Sequence, residues 1–216
     1  MTRDVHGIRG PKYPDEFLTR FFFKRRHDRR VGSVVELGCG NGSNLALYLA
    51  YGWDAIGIDI SAQAIADAEY NLQGSCRFIR HDLANGLPEL SRPVDVLLMP
   101  SSLYYLPRTS VVTCLRQLRG LAAPAADFYL RMRLTDDYRY GRGSEVERNG
   151  FRLSIDETGE RDCLNVFYTE PELHAFVLEE LGADPSDLVV LRSRFDNLQN
   201  GRIIPNSDLI LWGRLS

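Results

Sequence analysis

The run Ser33-Val34-Val35-Glu36-Leu37, followed at once by Gly38-Cys39-Gly40-Asn41-Gly42, narrows the possible folds more than any other feature of this chain. A short apolar segment rich in β-branched residues suits a strand buried on both faces. Three glycines in the next five positions give a tight turn, because glycine takes backbone conformations that other residues resist. Ser43-Asn44 then opens a helix running to about Tyr51. The alternation continues. Residues 55–59 read as a second strand, Ser61 as the N-cap of a helix to about Leu72, residues 77–80 as a third strand and 94–99 as a fourth. A helix over about 109–121 and a fifth strand at 127–132 follow. Strands alternating with helices at this spacing imply an α/β chain with a parallel, doubly wound sheet.

Beyond Leu134 the rhythm breaks. Residues 135–150 are polar and carry Gly141, Gly143 and Gly150. Segments 151–155 and 163–167 flank Glu157-Thr158-Gly159-Glu160 and suggest a hairpin. Thr169-Glu170-Pro171-Glu172 matches a capping box, so a helix is expected from there to near Gly182. Residues 188–192 and 209–212 read as two closing strands, joined by a loop containing Asn200-Gly201 and Pro205-Asn206. At the other end, Gly10, Pro11 and Pro14 argue for an extended start, followed by a short amphipathic helix over 15–22. The 216 residues suit a single domain.

A net charge of −3 lacks the basic excess usual for nucleic-acid or membrane-surface proteins. The one basic cluster, Lys24 to Arg30, reads as a solvated helix end followed by a linker, with phosphate contact as the sharper alternative. Cys39, Cys76, Cys114 and Cys163 lie far apart, without metal-ligand spacing; three fall in expected strands, helices or tight turns, where cysteine acts as a small hydrophobe, and a reducing cytoplasm is the simple inference. No metal is expected. No segment is long enough for a membrane span.

In an open parallel sheet, ligands bind beyond the carboxyl ends of the strands, where the strand order reverses. The glycine turn lies there. A dinucleotide would want Gly-x-Gly-x-x-Gly, but the third glycine of that spacing falls on Ser43. Asp59 follows Glu36 by 23 positions and ends the second strand, and Asp82 follows Asp59 by another 23, after the third. A carboxylate at Asp59 can accept two hydrogen bonds from a ribose diol. Asp82 is equally placed to cap a turn.

Glu36-Leu37-Gly38-Cys39-Gly40-Asn41-Gly42 resembles motif I of the class I S-adenosylmethionine-dependent methyltransferases. The resemblance implies a Rossmann-like, seven-stranded, mostly parallel sheet with an antiparallel C-terminal hairpin, and S-adenosyl-L-methionine as cofactor. It assigns orientation of the donor's amino-acid end to Glu36 and wrapping of its methionine portion to the turn of Gly38, Cys39, Gly40 and Asn41. It places Asp59 on the ribose and Asp82 on the adenine amino group. Leu83 then offers its N–H to the ring, Ile60 packs against it, and Met99 and Pro100 line the cofactor.

After the fourth strand, family members acting on base or protein amides often carry Asn/Asp-Pro-Pro-Tyr. This chain has Met99-Pro100-Ser101-Ser102-Leu103-Tyr104-Tyr105 instead. That departure points to a small-molecule or sugar acceptor, with oxygen slightly favoured over nitrogen. Segments 12–17, 137–143 and 167–173 are loosely similar to bacterial methyltransferases, some associated with surface polysaccharide. On that similarity residues 1–30 form a lid and substrate segment, and the 135–168 insertion forms part of the acceptor pocket. Tyr13, Tyr104, Tyr105, Arg131, Arg133 and Tyr138 are the candidate acceptor contacts, with Asp136, Arg139 and His174 near them. His81, Tyr104 and Asp136 are the candidate bases. The expected partners are a small methyl acceptor and a second copy of the chain, with no nucleic acid and no membrane. A nicotinamide-dependent oxidoreductase and a cofactor-binding homologue without turnover are the competing readings.

Overall fold

The computed structural model describes residues 7–216, so residues 1–6 of the expected N-terminal segment lie outside the described residues. Helix α1 (Glu16–Lys24) precedes an alternating series: β1 (Ser33–Leu37), α2 (Ser43–Ala50), β2 (Asp54–Asp59), α3 (Ala62–Leu72), β3 (Arg77–Arg80), β4 (Val94–Pro100), α4 (Arg108–Leu121) and β5 (Ala122–Arg133). Three short strands come next, β6 (Gly143–Glu147), β7 (Gly150–Leu153) and β8 (Leu164–Val166). Then come α5 (Glu170–Ala175), β9 (Val189–Gln199) and β10 (Arg202–Arg214). The main sheet runs β3-β2-β1-β4-β5-β10-β9, with β1 to β5 parallel and β10 antiparallel to both neighbours. Strand order reverses between β1 and β4, so the glycine turn leaves β1 at the switch point.

Every residue of β1 is buried, as a central parallel strand requires. One face packs on α4, α5 and the turn after it, the other on α1 and α2. Ser61 caps α3 by accepting from Ala64 N–H at 3.2 Å. Thr169 and Glu172 close the capping box read from the sequence. The helix they start widens to a π-helical turn over Phe176–Leu181 and stops at Gly182, whose φ is +81°.

Three expectations need correction. Residues 143–147, expected as polar connection, form β6 and extend the hairpin to a three-stranded sheet, because Gly143 sits opposite Leu153 where a Cβ would strike the Arg152 carbonyl carbon and oxygen. The loop expected between the closing strands is only Asn200-Gly201, both at positive φ, as a two-residue hairpin turn demands. Pro205 and Asn206 lie within β10, pairing with Asp196 and Phe195. The third correction concerns the basic cluster. His27 is fully buried, and Arg25, His27 and Arg30 all converge on Asp127 at the start of the central part of β5. A run of charges does not reveal a buried partner a hundred residues away.

Candidate functional site

Between the ends of β1, β2, β3 and β4 lies a cavity of about 350 Å³. It is built from the turns the strands throw off. Gly38 contributes from the first turn, Asp59 and Ile60 from the second, His81, Asp82, Leu83 and Ala84 from the third. Ser101, Ser102, Tyr105, Leu106 and Pro107 close it from the segment between β4 and α4.

The glycines are required by geometry. Gly38 has φ +71°, and a Cβ there would stand 2.3 Å from that of Ser102. Gly40 has φ +52° and open space where a Cβ would project, leaving its main chain bare. Asp59 organises this turn: one carboxylate oxygen accepts from Gly40 N–H at 2.9 Å, the other from Ser61 N–H at 2.9 Å. A carboxylate has about four lone-pair sites, so both oxygens can still accept from a ligand diol. Asp82 performs the capping role, accepting from Ala84 N–H at 2.9 Å, and also lines the cavity. Leu83 is buried beside it, while Ile60 is 59% exposed at the mouth.

Glu36 is buried at the tip of β1. One oxygen accepts from the Asn44 side chain at 2.6 Å, and the other, Oε2, is buried without a hydrogen-bond partner among the described residues. Burial pushes its pKa up to about 8, against the Asn44 hydrogen bond and with help from the acids Asp59 and Asp15. A buried acceptor left unpaired is costly. A ligand ammonium would satisfy it. Neither Glu36 nor Gly40 is among the residues that line the cavity; Asp59, which is, fits the ribose of S-adenosylmethionine, and the buried Glu36 oxygen at the adjoining strand tip fits the ammonium of its amino-acid end.

Other expected residues are placed elsewhere. Met99 is fully buried in the core and Pro100 stops short of the cavity, where Ser101 and Ser102 take their place. Ser102 is pinned by donating to the Leu37 carbonyl at 2.6 Å. The sequence offers no signal for these serines beyond their position after a strand. The Cys39 side chain turns into the core. The Asn41 amide donates to the Arg9 and Pro11 carbonyls, tying down the N-terminal segment rather than facing the cavity.

On the acceptor side, only Tyr105 among the expected contacts reaches the cavity wall. Its hydroxyl donates to Glu160 at 2.5 Å. Tyr104 is buried beside it, with the Arg133 guanidinium 4.2 Å from the ring centroid. Arg133 also pairs with Glu160 at 2.8 Å, and Arg139 joins the same carboxylate and Asp137. Arg131 is held between Asp208 at 2.7 Å and Asp15 at 2.5 Å. Tyr138 donates to Glu157, Tyr13 is largely exposed, and His174 sits near Glu170 on α5. Glu160 is the functional neighbour that sequence reasoning missed: its turn reads only as a hairpin connection.

The three candidate bases are not brought together. His81 lines the cavity near Asp82, with Nε2 3.0 Å from the Gly86 carbonyl. A carbonyl only accepts, so Nε2 carries the proton. Burial pushes the Tyr104 phenol upward. Asp136 lies in a separate surface depression with Arg194 and Ser207. Burial there works against its charge, but the nearby Ser207 hydroxyl and the paired Arg192 and Arg194 hold its carboxyl below the usual range.

A family described as a methyltransferase domain matches residues 34–125, the segment from β1 into β5 that carries the glycine turn, Asp59 and Asp82. No curated protein sequence matches the chain. Among solved structures it is similar to a SAM-dependent methyltransferase from Methanosarcina mazei, at 20% identity over 90% of this chain and 98% of that one, with a TM-score of 0.68. It is also similar to the N-methyltransferase NodS from Bradyrhizobium japonicum in complex with S-adenosyl-L-homocysteine (14% identity, 92% and 84% covered, TM-score 0.58). A third is the 1,6-didemethyltoxoflavin-N1-methyltransferase of Burkholderia thailandensis (15%, 93% and 86%, 0.57). These likenesses extend the shared fold over nearly the whole chain, and the matched domain decides against the nicotinamide reading. Residues 34–125 thus match a methyltransferase domain, and the chain as a whole shares the fold of the S-adenosylmethionine-dependent methyltransferases named above.

Proposed function

We propose that the chain methylates a small polar molecule whose acceptor atom is nucleophilic without a strong protein base, a nitrogen ahead of an oxygen. The observation that carries this reading is the state of the side chains at the acceptor end. Burial keeps the Tyr104 and Tyr105 phenols neutral. Burial alone would raise Glu160, but Arg133, Tyr105 and Arg139 outweigh it and hold the carboxyl down. Neutral phenols and arginine-held carboxylates are poor proton acceptors at neutral pH, and the one imidazole on the cavity wall, His81, stands beside Asp82 on the turn assigned to the donor's adenine rather than among these acceptor-end side chains. An amine with a free lone pair needs none. The sequence favours oxygen slightly, and the proposal departs from it on the state of these side chains. The small-molecule N-methyltransferase among the similar structures supports the same choice.

S-adenosylmethionine supplies an electrophilic methyl group on a good leaving sulfur. The protein has mainly to orient the nucleophile and exclude water. Glu36 and the Gly38–Gly40 main chain hold the amino-acid end, Asp59 the ribose, and Asp82 with Leu83 the adenine. Residues 7–30 and the 135–168 insertion serve as lid and acceptor wall, with Tyr105 on the boundary between the two subsites. The test is transfer from methyl-labelled donor to panels of small amines and small alcohols, read by mass spectrometry. Labelled amines are expected. Transfer confined to alcohols, with a rate that climbs with pH through one ionisation, would overturn the nitrogen assignment. Calorimetry with S-adenosylhomocysteine and NAD in parallel checks the donor itself, and binding of NAD alone would refute it.

A further inference from the structure

Three asparagine amides tie the glycine turn and its helices to the segment before α1. Asn41 donates to the Pro11 carbonyl at 2.8 Å, Asn71 donates to the Arg9 carbonyl at 2.9 Å, and Asn44 accepts from Asp15 N–H at 2.8 Å. Asn44 differs from the other two. Its remaining group, the Nδ2 amide, donates to Glu36 at 2.6 Å. One half-buried side chain therefore bridges the acid at the tip of β1 and the residue that caps α1. Asp15 is in turn engaged with the acceptor side: its carboxylate accepts from Tyr129 at 3.0 Å and pairs with Arg131.

We infer that Asn44 is a positioning residue for methyl transfer. Its amide aims the Glu36 carboxyl at the donor's amino group and couples donor binding to docking of the segment that opens α1. The inference rests on the assignment of S-adenosylmethionine to the cavity. The geometry leaves little choice of orientation: Asp15 N–H can only donate, so it fixes the Asn44 oxygen, and the amide nitrogen must face Glu36. With one Glu36 oxygen held in this way, the unpartnered Oε2 is the atom available to a ligand cation.

The groups acting on Glu36 come from every element around it. Asp59 at the end of β2 and Asp15 before α1 are both acids that disfavour its charge. The Cys39 and Cys76 thiols and the Tyr48 phenol near it are kept neutral by burial. Among the described residues, Asn44 is the neighbour that favours the carboxylate. Donor affinity should therefore rise with pH as Glu36 ionises, and removing the Asn44 donor should move that rise to higher pH.

The experiment is calorimetric titration with S-adenosylhomocysteine from pH 6 to 9, for the parent, Asn44→Leu, Glu36→Gln and the double variant. In the parent background, N44L is expected to weaken binding about ten- to hundredfold near neutral pH, the worth of one hydrogen bond to a charged group. The affinity profile should shift alkaline. In the E36Q background the same substitution should cost little, since no carboxylate is left to orient. Amide exchange at residues 12–18 should slow on ligand binding in the parent and not in N44L. An equal cost in both backgrounds, or an unmoved pH profile, would reduce Asn44 to a structural role and overturn the inference. Failure of the parent to bind S-adenosylhomocysteine would instead sink the donor assignment. If N44L does not fold, Asn44→Asp serves in its place. It keeps the side chain's shape, removes the donor and is expected to shift the profile further.

Discussion

Asp59 does two jobs with one carboxylate, and its removal separates them poorly. It accepts from the Gly40 and Ser61 amides and faces the cavity where a ribose diol would sit. Asp59→Ala is expected to weaken S-adenosylhomocysteine binding by about two to three orders of magnitude, from loss of two charge-assisted hydrogen bonds. Calorimetry reads the effect, and an affinity within about threefold of the parent would move the site elsewhere. Glu36 gives a prediction of opposite character. Its folded pKa, about 8, stands above the ordinary value of 4.5. Its contribution to stability is thus fully present below about pH 4.5 and is lost as pH rises through 8. Glu36→Gln abolishes that loss. Its melting temperature relative to the parent should climb between about pH 5 and pH 8 by at least about 3 °C, the shift produced by ~1 kcal/mol in a chain of this size. A flat difference across that range would mean that Glu36 titrates normally. Both acids are legible in the sequence because each ends a strand at a fixed spacing. The serines at 101 and 102 are not, since only the packing of Gly38 against Ser102 reveals how near that loop comes.

Among the elements, α1 shows what sequence patterning conceals. Its apolar face is plain, and Leu18, Phe21 and Phe22 are fully buried. The basic run after α1 has the composition of a solvated linker, yet it closes over Asp127. Tyr48 lies 3.1 Å from His27 Nδ1, and Asp127 lies 2.9 Å from Nε2. The carboxylate accepts, so Nε2 carries the proton and the Tyr48 hydroxyl donates to Nδ1. Burial lowers the His27 pKa more than Asp127 raises it. The neutral ring therefore contributes stability above about pH 6.5 that is lost as pH falls through its folded value. Asp127→Ala leaves Arg25 and His27 without their shared acceptor, and removing one partner of a buried ion pair costs about 3–5 kcal/mol. Urea unfolding at about pH 7.5 should show a loss of that order. A loss below ~1 kcal/mol would make the cluster a surface feature. The closing hairpin errs in the other direction. Apolar patterning marks its strands only at 188–192 and 209–212, but they run to 11 and 13 residues, because polar residues continue the pairing past the core. Periodicity marks where a strand is buried, not where its hydrogen bonds end.

Across the whole molecule, the alternating half of the chain is readable element by element, whereas in the added half the strands other than β6 and the capping box are readable but the contacts that fasten them are not. Parallel strands buried on both faces write their position as continuous apolar runs. The 135–168 insertion packs a small apolar cluster of its own, Phe151, Leu153 and Phe167, but much of its fastening to the sheet is by charge, and pairings between charges distant in sequence leave no periodic trace. Glu160 is its hub, binding Tyr105 on the cavity wall, Arg133 on β5 and Arg139 within the insertion. Asp137, beside Arg139, also accepts from the main chain of Ser207 on β10. The insertion is thereby fastened to the end of the sheet where the acceptor is proposed to bind, while the donor turns belong to β1, β2 and β3. Glu160→Gln should separate the two halves. Its carboxyl is held below its ordinary range in the fold, so its contribution is present above about pH 4.5 and lost as pH falls. At about pH 7.5 the variant leaves two buried guanidiniums short of a counter-charge and is expected to lose about 2–4 kcal/mol in urea unfolding. S-adenosylhomocysteine affinity should stay within about twofold, because no atom of Glu160 lines the donor cavity. KM for the methylated amine should rise as Tyr105 loses its anchor. Equal losses of donor and acceptor affinity would show that the insertion and the glycine turn act as one site rather than two.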